Sequence, residues 1–306
     1  MKPGLCRKVV LLIALLPMVA GAQSGVDGAG ADSVAAAATD DIKAGEVAYM
    51  AGFNTLYRVD LSTAAATVVG TAGFGSVAGV AIADVDSLAF AADGTLYAVA
   101  DSPQALFRVS TSTGRATLVG QFRENNQPFD TSSNLNGVLA FTCDGKLLLS
   151  SRVSHKVWEV NPATAAATLI GTMSPTVGGL AVLGNQMFAL GVGGSEGFYS
   201  VNVADATTAR LPSGLDGRTI PGGSLAFAAD GRLFAVFDLY PPVERSVLAE
   251  LSPVTGAVLR ELTLTGPQLG PGADRRQVRA LAIAPPVCAP TGVGPVAASI
   301  PAVDHR

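Results

Sequence analysis

Oxygen-bearing side chains of the kind that hold hard divalent cations occur at Asp86, Asp101, Asn136 and Asp238. Carboxylate and amide oxygens are the ligands that Ca²⁺ prefers in proteins. No local metal-binding motif contains them, so the fold would have to bring them together. They give one hypothesis, a site for metal-assisted hydrolysis. Solvated loop carboxylates are the interpretation we favour, so no cofactor is expected and Ca²⁺ is kept as the alternative.

A second candidate for chemistry is the segment 193–197, GGSEG, which has the spacing of a serine nucleophile elbow. That motif works only where a strand turns sharply into a helix and presents the serine beside a histidine base. The repeated strand pattern of the chain places Ser195 in a loop between two strands. The histidines of the chain are His155 and His305. We therefore predict neither a serine triad nor a zinc site built from histidines.

Two cysteines, Cys143 and Cys288, remain once an amino-terminal segment containing Cys6 is removed. An even number of cysteines suits an oxidising compartment. A disulfide between them would require their Cα atoms to approach within about 7 Å. Two separate buried thiols are the alternative, since a free cysteine often packs as a small apolar residue. The sequence leaves both arrangements open.

The elements that must position these residues are repeats. Versions of the phrase LFRVSTSTGRATLVG begin at Leu56, Leu106, Val157, Phe198 and Leu248. A companion phrase, LAFxxDGxLYAV, begins at Leu88, Leu139, Leu180 and Leu225, and its first strand recurs at Leu281. One full unit therefore predicts four short strands, with a type I′ hairpin turn at each Asp-Gly pair. A period of about 40 to 50 residues made of four strands is typical of β-propeller blades.

The two ends of the repeat region are incomplete in complementary ways. The first unit begins at Val47 with its second strand, and the last segment, residues 281–284, is a first strand with no sequel. Pairing these two strands would complete one blade and leave no open edge. We therefore predict an all-β fold, a single propeller of five four-stranded blades closed by residues 281–284. The predicted domain covers residues 46–286.

The repeats resemble those of a broad group of uncharacterised bacterial secreted β-propeller repeat proteins, with units like LYxVDPxTGxATLVG and LAFxPDGxLYA. More distantly, LAFAADGTLYAVAD resembles repeats of NHL-type and gluconolactonase-like propellers. The second resemblance implies a divalent-metal hydrolase or lactonase acting in the central channel. Gly179 and Ser224 stand at two channel-mouth positions, and Arg279 at a third would repel a cation. These residues argue against the metal hypothesis.

In a propeller, the first strand of each blade lines the channel, and the loops that enter it form one face. That loop face is the expected binding site. The residues there with side chains suited to a ligand are Asp86, Asn136, Arg152, Asp238, Tyr240 and Arg279. We predict a binding or scaffold protein for a protein, glycan or small molecule, and an enzyme is the alternative.

One aromatic recurs per blade, at Tyr57, Phe107, Trp158 and Tyr199. Such a series indicates packing between blades. A platform for sugars is the alternative interpretation.

Composition and termini bound the remaining predictions. Residues 1–22 combine Lys2, Arg7 and Lys8, an apolar run and a small-residue site, which predicts an export signal cleaved after Ala22. The formal net charge of −4 argues against a nucleic-acid partner. We expect a secreted or periplasmic monomer without a membrane span. Residues 23–45 are predicted to be a disordered leader, and residues 287–306 a flexible tail.

Overall fold

The computed structural model describes residues 47–52, 54–70, 73–130, 134–215, 217–239, 245–267, 269, 278–283 and 288. The predicted signal (1–22), the leader (23–45), Tyr240 and all of the tail except Cys288 lie outside these residues. The described chain consists of strands, turns and irregular segments, and it contains no helix.

The strands are short and follow one another in the order that the repeats predict. In chain order they are β1 (Val47–Gly52), β2 (Thr55–Asp60), β3 (Ala66–Val68), β4 (Ser76–Val77), β5 (Val80–Ala81), β6 (Ala83–Phe90), β7 (Leu96–Ser102), β8 (Gln104–Val109), β9 (Ala116–Gln121), β10 (Arg123–Glu124), β11 (Gln127–Pro128), β12 (Gly137–Phe141), β13 (Leu147–Ser151), β14 (Lys156–Val160), β15 (Ala166–Thr172), β16 (Val177–Leu183), β17 (Gln186–Gly191), β18 (Gly197–Val201), β19 (Thr208–Leu211), β20 (Gly223–Phe227), β21 (Leu233–Leu239), β22 (Arg245–Leu251), β23 (Val258–Thr263) and β24 (Ala280–Ile283).

These strands form a five-bladed β-propeller, as predicted. Blade 1 has the order β24-β1-β2-β3, blade 2 is β6 to β9, blade 3 contains β12 to β15, blade 4 is β16 to β19 and blade 5 is β20 to β23. The predicted closure is confirmed: β24 pairs antiparallel with β1, with Ala280 opposite Ala51 and Ile283 opposite Ala48. Blade 1 is therefore built from both ends of the repeat region.

Blade 3 differs from the predicted four-stranded blade. The connection from blade 2 contributes a small hairpin, and β10 pairs in parallel with the outer strand β15, so the sheet has six strands. The two-residue turn of this hairpin is Asn125-Asn126, with φ of 53° and 63°. Positive φ at both positions defines a type I′ turn, which asparagine tolerates better than most residues.

The Asp-Gly turns also differ from prediction. Gly94 has a φ of 82°, whereas Asp93 is not in the left-handed region. The Gly94 amide donates to the Ala91 carbonyl at 3.0 Å, and the Asp93 carboxylate accepts from the Thr95 amide at 2.9 Å. This is a three-residue loop, a type I turn followed by a left-handed glycine. The type I′ assignment was therefore wrong, because the flanking pair is Ala91 with Thr95, which leaves three residues between the strands.

The core is divided among the blade interfaces. Each of the five interfaces between neighbouring blades holds one cluster of buried apolar side chains. The recurring aromatics Tyr57, Phe107, Trp158 and Tyr199 are all buried within these clusters. All four therefore pack between blades.

The central channel is narrow and apolar. Three consecutive residues from each inner strand line a cavity of about 50 Å³, in runs that begin at Leu88, Leu139, Leu180, Leu225 and Leu281. Ligand cavities usually measure about 300 to 1,000 Å³. This cavity is thus too small for an organic substrate.

Cys143 and Cys288 form a disulfide, with their Cα atoms 5.2 Å apart. Cys143 follows the inner strand of blade 3, and Cys288 follows β24 of blade 1. The bond therefore links two blades that are not neighbours, at the end of the channel opposite the loop face.

Candidate functional site

The loop face carries the polar side chains of the channel mouth. The inner strands begin there, and the loops between second and third strands end there, so Asp86, Asp101, Asn136, Arg152, Asp238 and Arg279 all lie at this end of the propeller. Of the residues that we predicted for ligand binding, the structure describes all but Tyr240. What each of them contacts decides whether it is available to a ligand.

Arg279 joins blade 1 to blade 2. Its Nη1 lies 2.7 Å from Oδ1 of Asp86 and 2.8 Å from Oδ1 of Asp84. Burial, together with repulsion from Asp101, raises the pKa of Asp86 well above its ordinary value, although Arg279 opposes this. Burial lowers the pKa of Arg279, but Asp86 and Asp84 outweigh that effect and hold its pKa above the usual value. Asp86 and Arg279 form a buried ion pair, in which each charge offsets part of the cost of burying the other.

Asp101 joins blade 2 to blade 3. Its Oδ1 accepts hydrogen bonds from the backbone amides of Leu135 at 2.8 Å and Asn136 at 2.9 Å. These bonds hold the entry to β12, where Asn136 has a φ of 43°. Burial raises the pKa of Asp101, and the two backbone hydrogen bonds work against this rise.

Arg152 connects blade 3 to the segment that enters blade 5. Its Nη2 donates to the Pro221 carbonyl at 2.5 Å, and burial lowers its pKa.

Between these blades, the inner strand of blade 4 approaches blade 5 closely. A Cβ on Gly179 would lie 2.4 Å from the Leu225 amide nitrogen, so only glycine fits there.

Asp238 completes the series at the junction of blades 5 and 1. Its Oδ1 accepts from the Ser246 hydroxyl at 2.5 Å, and the Val278 backbone amide also donates to its carboxylate. Asp238 is 8% exposed, and burial raises its pKa to about 6 despite these hydrogen bonds.

The mouth side chains thus make contacts between blades. Oδ2 of Asp86 and Oδ2 of Asp101 are buried without a hydrogen-bond partner among the described residues. Within the same described ranges, no group of three histidine, cysteine, aspartate or glutamate side chains is arranged to hold a metal ion. The charged side chains at the mouth therefore link neighbouring blades around the rim of the propeller.

A larger cavity opens on the same face, between blades 2 and 3. It measures about 360 Å³ and adjoins the mouth at Leu135, whose amide Asp101 binds. The β10–β11 hairpin and the loop between β13 and β14 wall it. The lining residues with polar or aromatic side chains include Gln127, Phe129, Asn134, Ser151, Ser154 and Trp158.

Trp158 forms part of the inner wall of this cavity. The side chain is 3% exposed, and its ring centroid lies 4.7 Å from that of Phe129. Its Nε1 is buried and has no hydrogen-bond partner in the part of the chain that the structure describes. An unpaired buried donor costs about 1 to 3 kcal/mol. Lys156 lies 5.9 Å from the same ring and 3.9 Å from Glu124.

Several of these residues were missed in the sequence. Asp84 shares the Arg279 guanidinium, and Gln127, Phe129 and Ser154 line the cavity. The sequence carried one signal for the hairpin that walls the cavity, the pair Asn125-Asn126. Two consecutive residues that tolerate positive φ are typical of a hairpin turn. As predicted, Ser195 lies between two strands, where its hydroxyl accepts from the Thr176 amide at 3.2 Å.

No family model and no curated protein matches the chain. It is similar to the hydrazine synthase of Kuenenia stuttgartiensis, at 15% identity over 62% of this chain and 53% of that one, with a TM-score of 0.42. It is also similar to a structural genomics protein of unknown function from Bacteroides thetaiotaomicron VPI-5482, at 14% identity over 62% of this chain and 53% of that one, with a TM-score of 0.45. A chain of a nidogen/laminin complex is similar at 12% identity over 78% of this chain and 98% of that one, with a TM-score of 0.45.

This chain spans about half the length of the first two of these structures. Likeness at such identities concerns the fold alone. Among the described residues, no helix has the length and apolar character needed to cross a membrane.

Proposed function

We propose that this chain is an exported, non-catalytic binding propeller whose loop face takes the ligand. The observation that carries the proposal is the 360 Å³ cavity beside the channel mouth. It combines an aromatic wall with several amide and hydroxyl groups, which is the usual composition of a binding cavity. Its volume falls within the range of about 300 to 1,000 Å³ that such cavities have.

The cavity supports binding better than the channel supports hydrolysis. The cavity within the channel measures about 50 Å³ and is lined by leucine, alanine, phenylalanine, valine and isoleucine. Asp86, Asp101 and Asp238 each use Oδ1 in contacts that hold the rim of the propeller together. A divalent-metal hydrolase therefore stays the alternative, with Asp86 and Asp101 as the carboxylates that retain an unpaired oxygen.

Trp158 makes the proposal directly testable, because it is the single tryptophan of the chain. Titration of peptides, amino acids and saccharides should change its emission in a saturable way for one class of compound. Val153→Arg should weaken that binding at least about tenfold, because Val153 lines the cavity and is 49% exposed. The matched control is Val254→Arg, since Val254 is 52% exposed in a turn at the opposite face.

The enzyme alternative is tested on the same protein with a panel of lactones and esters, with and without Ca²⁺. Ca²⁺-dependent turnover that Asp86→Asn abolishes would overturn the binding proposal. Loss of ligand binding in Val254→Arg but not in Val153→Arg would move the site to the other face.

Export is proposed from residues 1–22. Sequencing of the amino terminus of the protein collected outside the cytoplasm should begin at Gln23. An amino terminus at Met1 would contradict export through this signal.

A further inference from the structure

We infer that the cavity between blades 2 and 3 is a binding site for a neutral sugar unit, a monosaccharide or one residue of a glycan. This inference rests on the proposed function and names its ligand class.

The walls supply two kinds of contact. The half-buried ring of Phe129 provides an apolar surface, and the buried ring of Trp158 packs against it. Gln127, Asn134 and Ser154, which are exposed at the rim, supply groups that both donate and accept hydrogen bonds. A sugar ring presents apolar C–H faces and a circumference of hydroxyls. It therefore matches a cavity that has one apolar wall and an amide and hydroxyl rim.

The charges disfavour an anionic ligand. Among the lining residues described, Lys156 is the one cation, and Glu124 lies 3.9 Å from its ammonium group. Asp130 adds a second carboxylate to the lining. A phosphate or carboxylate ligand would meet an ammonium that already has a partner and a second negative charge. A neutral polyhydroxyl ligand meets neither obstacle.

The indole of Trp158 adds an independent observation. Its Nε1 is a hydrogen-bond donor only, it is buried, and no described residue accepts from it. Buried donors in native proteins nearly always have a partner. Nε1 is closed off from solvent, so a ligand hydroxyl can accept from it only when the cavity wall opens beside the indole. At the equivalent strand position in blade 4, the Tyr199 hydroxyl has its partner, the Ser195 carbonyl at 3.0 Å.

The experiment uses the mature protein and the emission of Trp158. The probes are D-glucose, D-galactose, N-acetyl-D-glucosamine and cellobiose, each titrated to about 50 mM so that a dissociation constant in the millimolar range is measurable. At least one should give a saturable change, and calorimetry should give the same constant. D-glucuronate and glucose 6-phosphate should bind at least about tenfold more weakly than the neutral sugars.

Two variants locate the site. Gln127→Ala removes an amide from the rim and should raise the dissociation constant about three- to tenfold. Gln121→Ala is its matched control, because Gln121 is exposed on the outer strand of blade 2 and does not line the cavity. Trp158→Phe removes the optical signal and the indole donor, so calorimetry should show weakened binding in that variant. Thermal unfolding checks that each variant is folded.

The outcomes separate this inference from the proposed function. Saturable binding of a neutral sugar that Gln127→Ala weakens and Gln121→Ala leaves unchanged supports both. Equal or tighter binding of the charged sugars overturns the neutral class. Binding of a peptide at the cavity with no response to any sugar overturns this inference and leaves the proposed function standing. No response of Trp158 or of the calorimeter to any class of compound overturns both.

Discussion

At the scale of single residues, the polar side chains at the channel mouth stabilise the fold through contacts between blades. Arg279, Asp101, Arg152 and Asp238 each contact a blade other than their own. Buried charges are tolerated only when they are paired and hydrogen-bonded. Four of the residues that were predicted to bind a ligand, Asp86, Arg152, Asp238 and Arg279, therefore take part in the contacts between blades at the rim.

Arg279→Ala should be strongly destabilising. Removing the guanidinium leaves Asp86, which is 6% exposed, without its counterion, and breaking a buried pair costs about 3 to 5 kcal/mol. Urea unfolding measures the loss. Lys146→Ala is the control, because Lys146 and its partners Asp144 and Glu159 are well exposed, and it should cost less than about 1 kcal/mol.

A second change tests the cause. Adding Asp86→Asn to Arg279→Ala removes the buried charge and should restore part of the lost stability. No recovery in the double variant would mean that the pair acts through packing and not through charge.

Asp238 should make the protein less stable as the pH rises. Its folded-state pKa of about 6 lies above the ordinary 3.8, so the folded state binds more protons than the unfolded state between these values. The free energy of unfolding should therefore fall, through this group, from about pH 4 to pH 6. Asp238→Asn should remove that part of the slope and stabilise the protein at pH 7 by roughly 3 kcal/mol.

The measurement is the difference in unfolding free energy between wild type and Asp238→Asn across this range. Burial also raises the pKa of Asp86 and Asp101, and both remain in the variant, so the difference isolates Asp238. A difference that does not vary with pH would contradict the assignment.

At the scale of elements, the β10–β11 hairpin is the part of blade 3 that the repeat does not supply. It adds to the outer strand β15 and walls the cavity. Its register depends on two consecutive residues with positive φ, Asn125 and Asn126. The hairpin therefore couples a local turn preference to the shape of the proposed site.

Asn126→Val should cost about 1 to 2 kcal/mol, because a β-branched residue is strained in the left-handed region. Asn126→Gly should be neutral or slightly stabilising, since Asn-Gly suits a type I′ turn. Thermal unfolding compares the two variants, and Trp158 emission reports whether the cavity wall moves. Equal stability of both variants would argue that the turn adopts another conformation.

At the scale of the whole molecule, closure comes from two links between distant parts of the chain. One is the pairing of β24 with β1, and the other is the disulfide from Cys143 to Cys288, which are 145 residues apart. The first completes a blade, and the second ties that blade to one two places away. Both restrict the opening of the ring.

Replacing both cysteines by serine should lower the free energy of unfolding by about 2 to 5 kcal/mol, because the cross-link restricts a long loop in the unfolded chain. Guanidinium unfolding under non-reducing conditions measures the difference. The emission of Trp158 in the folded state should not change, since the disulfide lies at the end opposite the loop face. Identical midpoints for the two proteins would show that the bond does not stabilise the closed ring.

The sequence by itself determined the propeller, the number of blades and the way the ring closes. These follow from local pattern: a repeated four-strand phrase must bury its faces against copies of itself, and two half-units such as those at Val47 and Leu281 complete each other. The burial of the recurring aromatics, Trp158 among them, follows from the same pattern.

Only the tertiary structure decided which polar residues contact other blades and which are accessible to a ligand. Arg152 and Pro221 are 69 residues apart, and Arg279 and Asp86 are 193 apart, so no local spacing reveals their contacts. The cavity likewise arises because a connection without a repeat folds against a neighbouring blade. Contacts of this kind depend on how blades are placed around the ring, and that placement is a property of the assembled core.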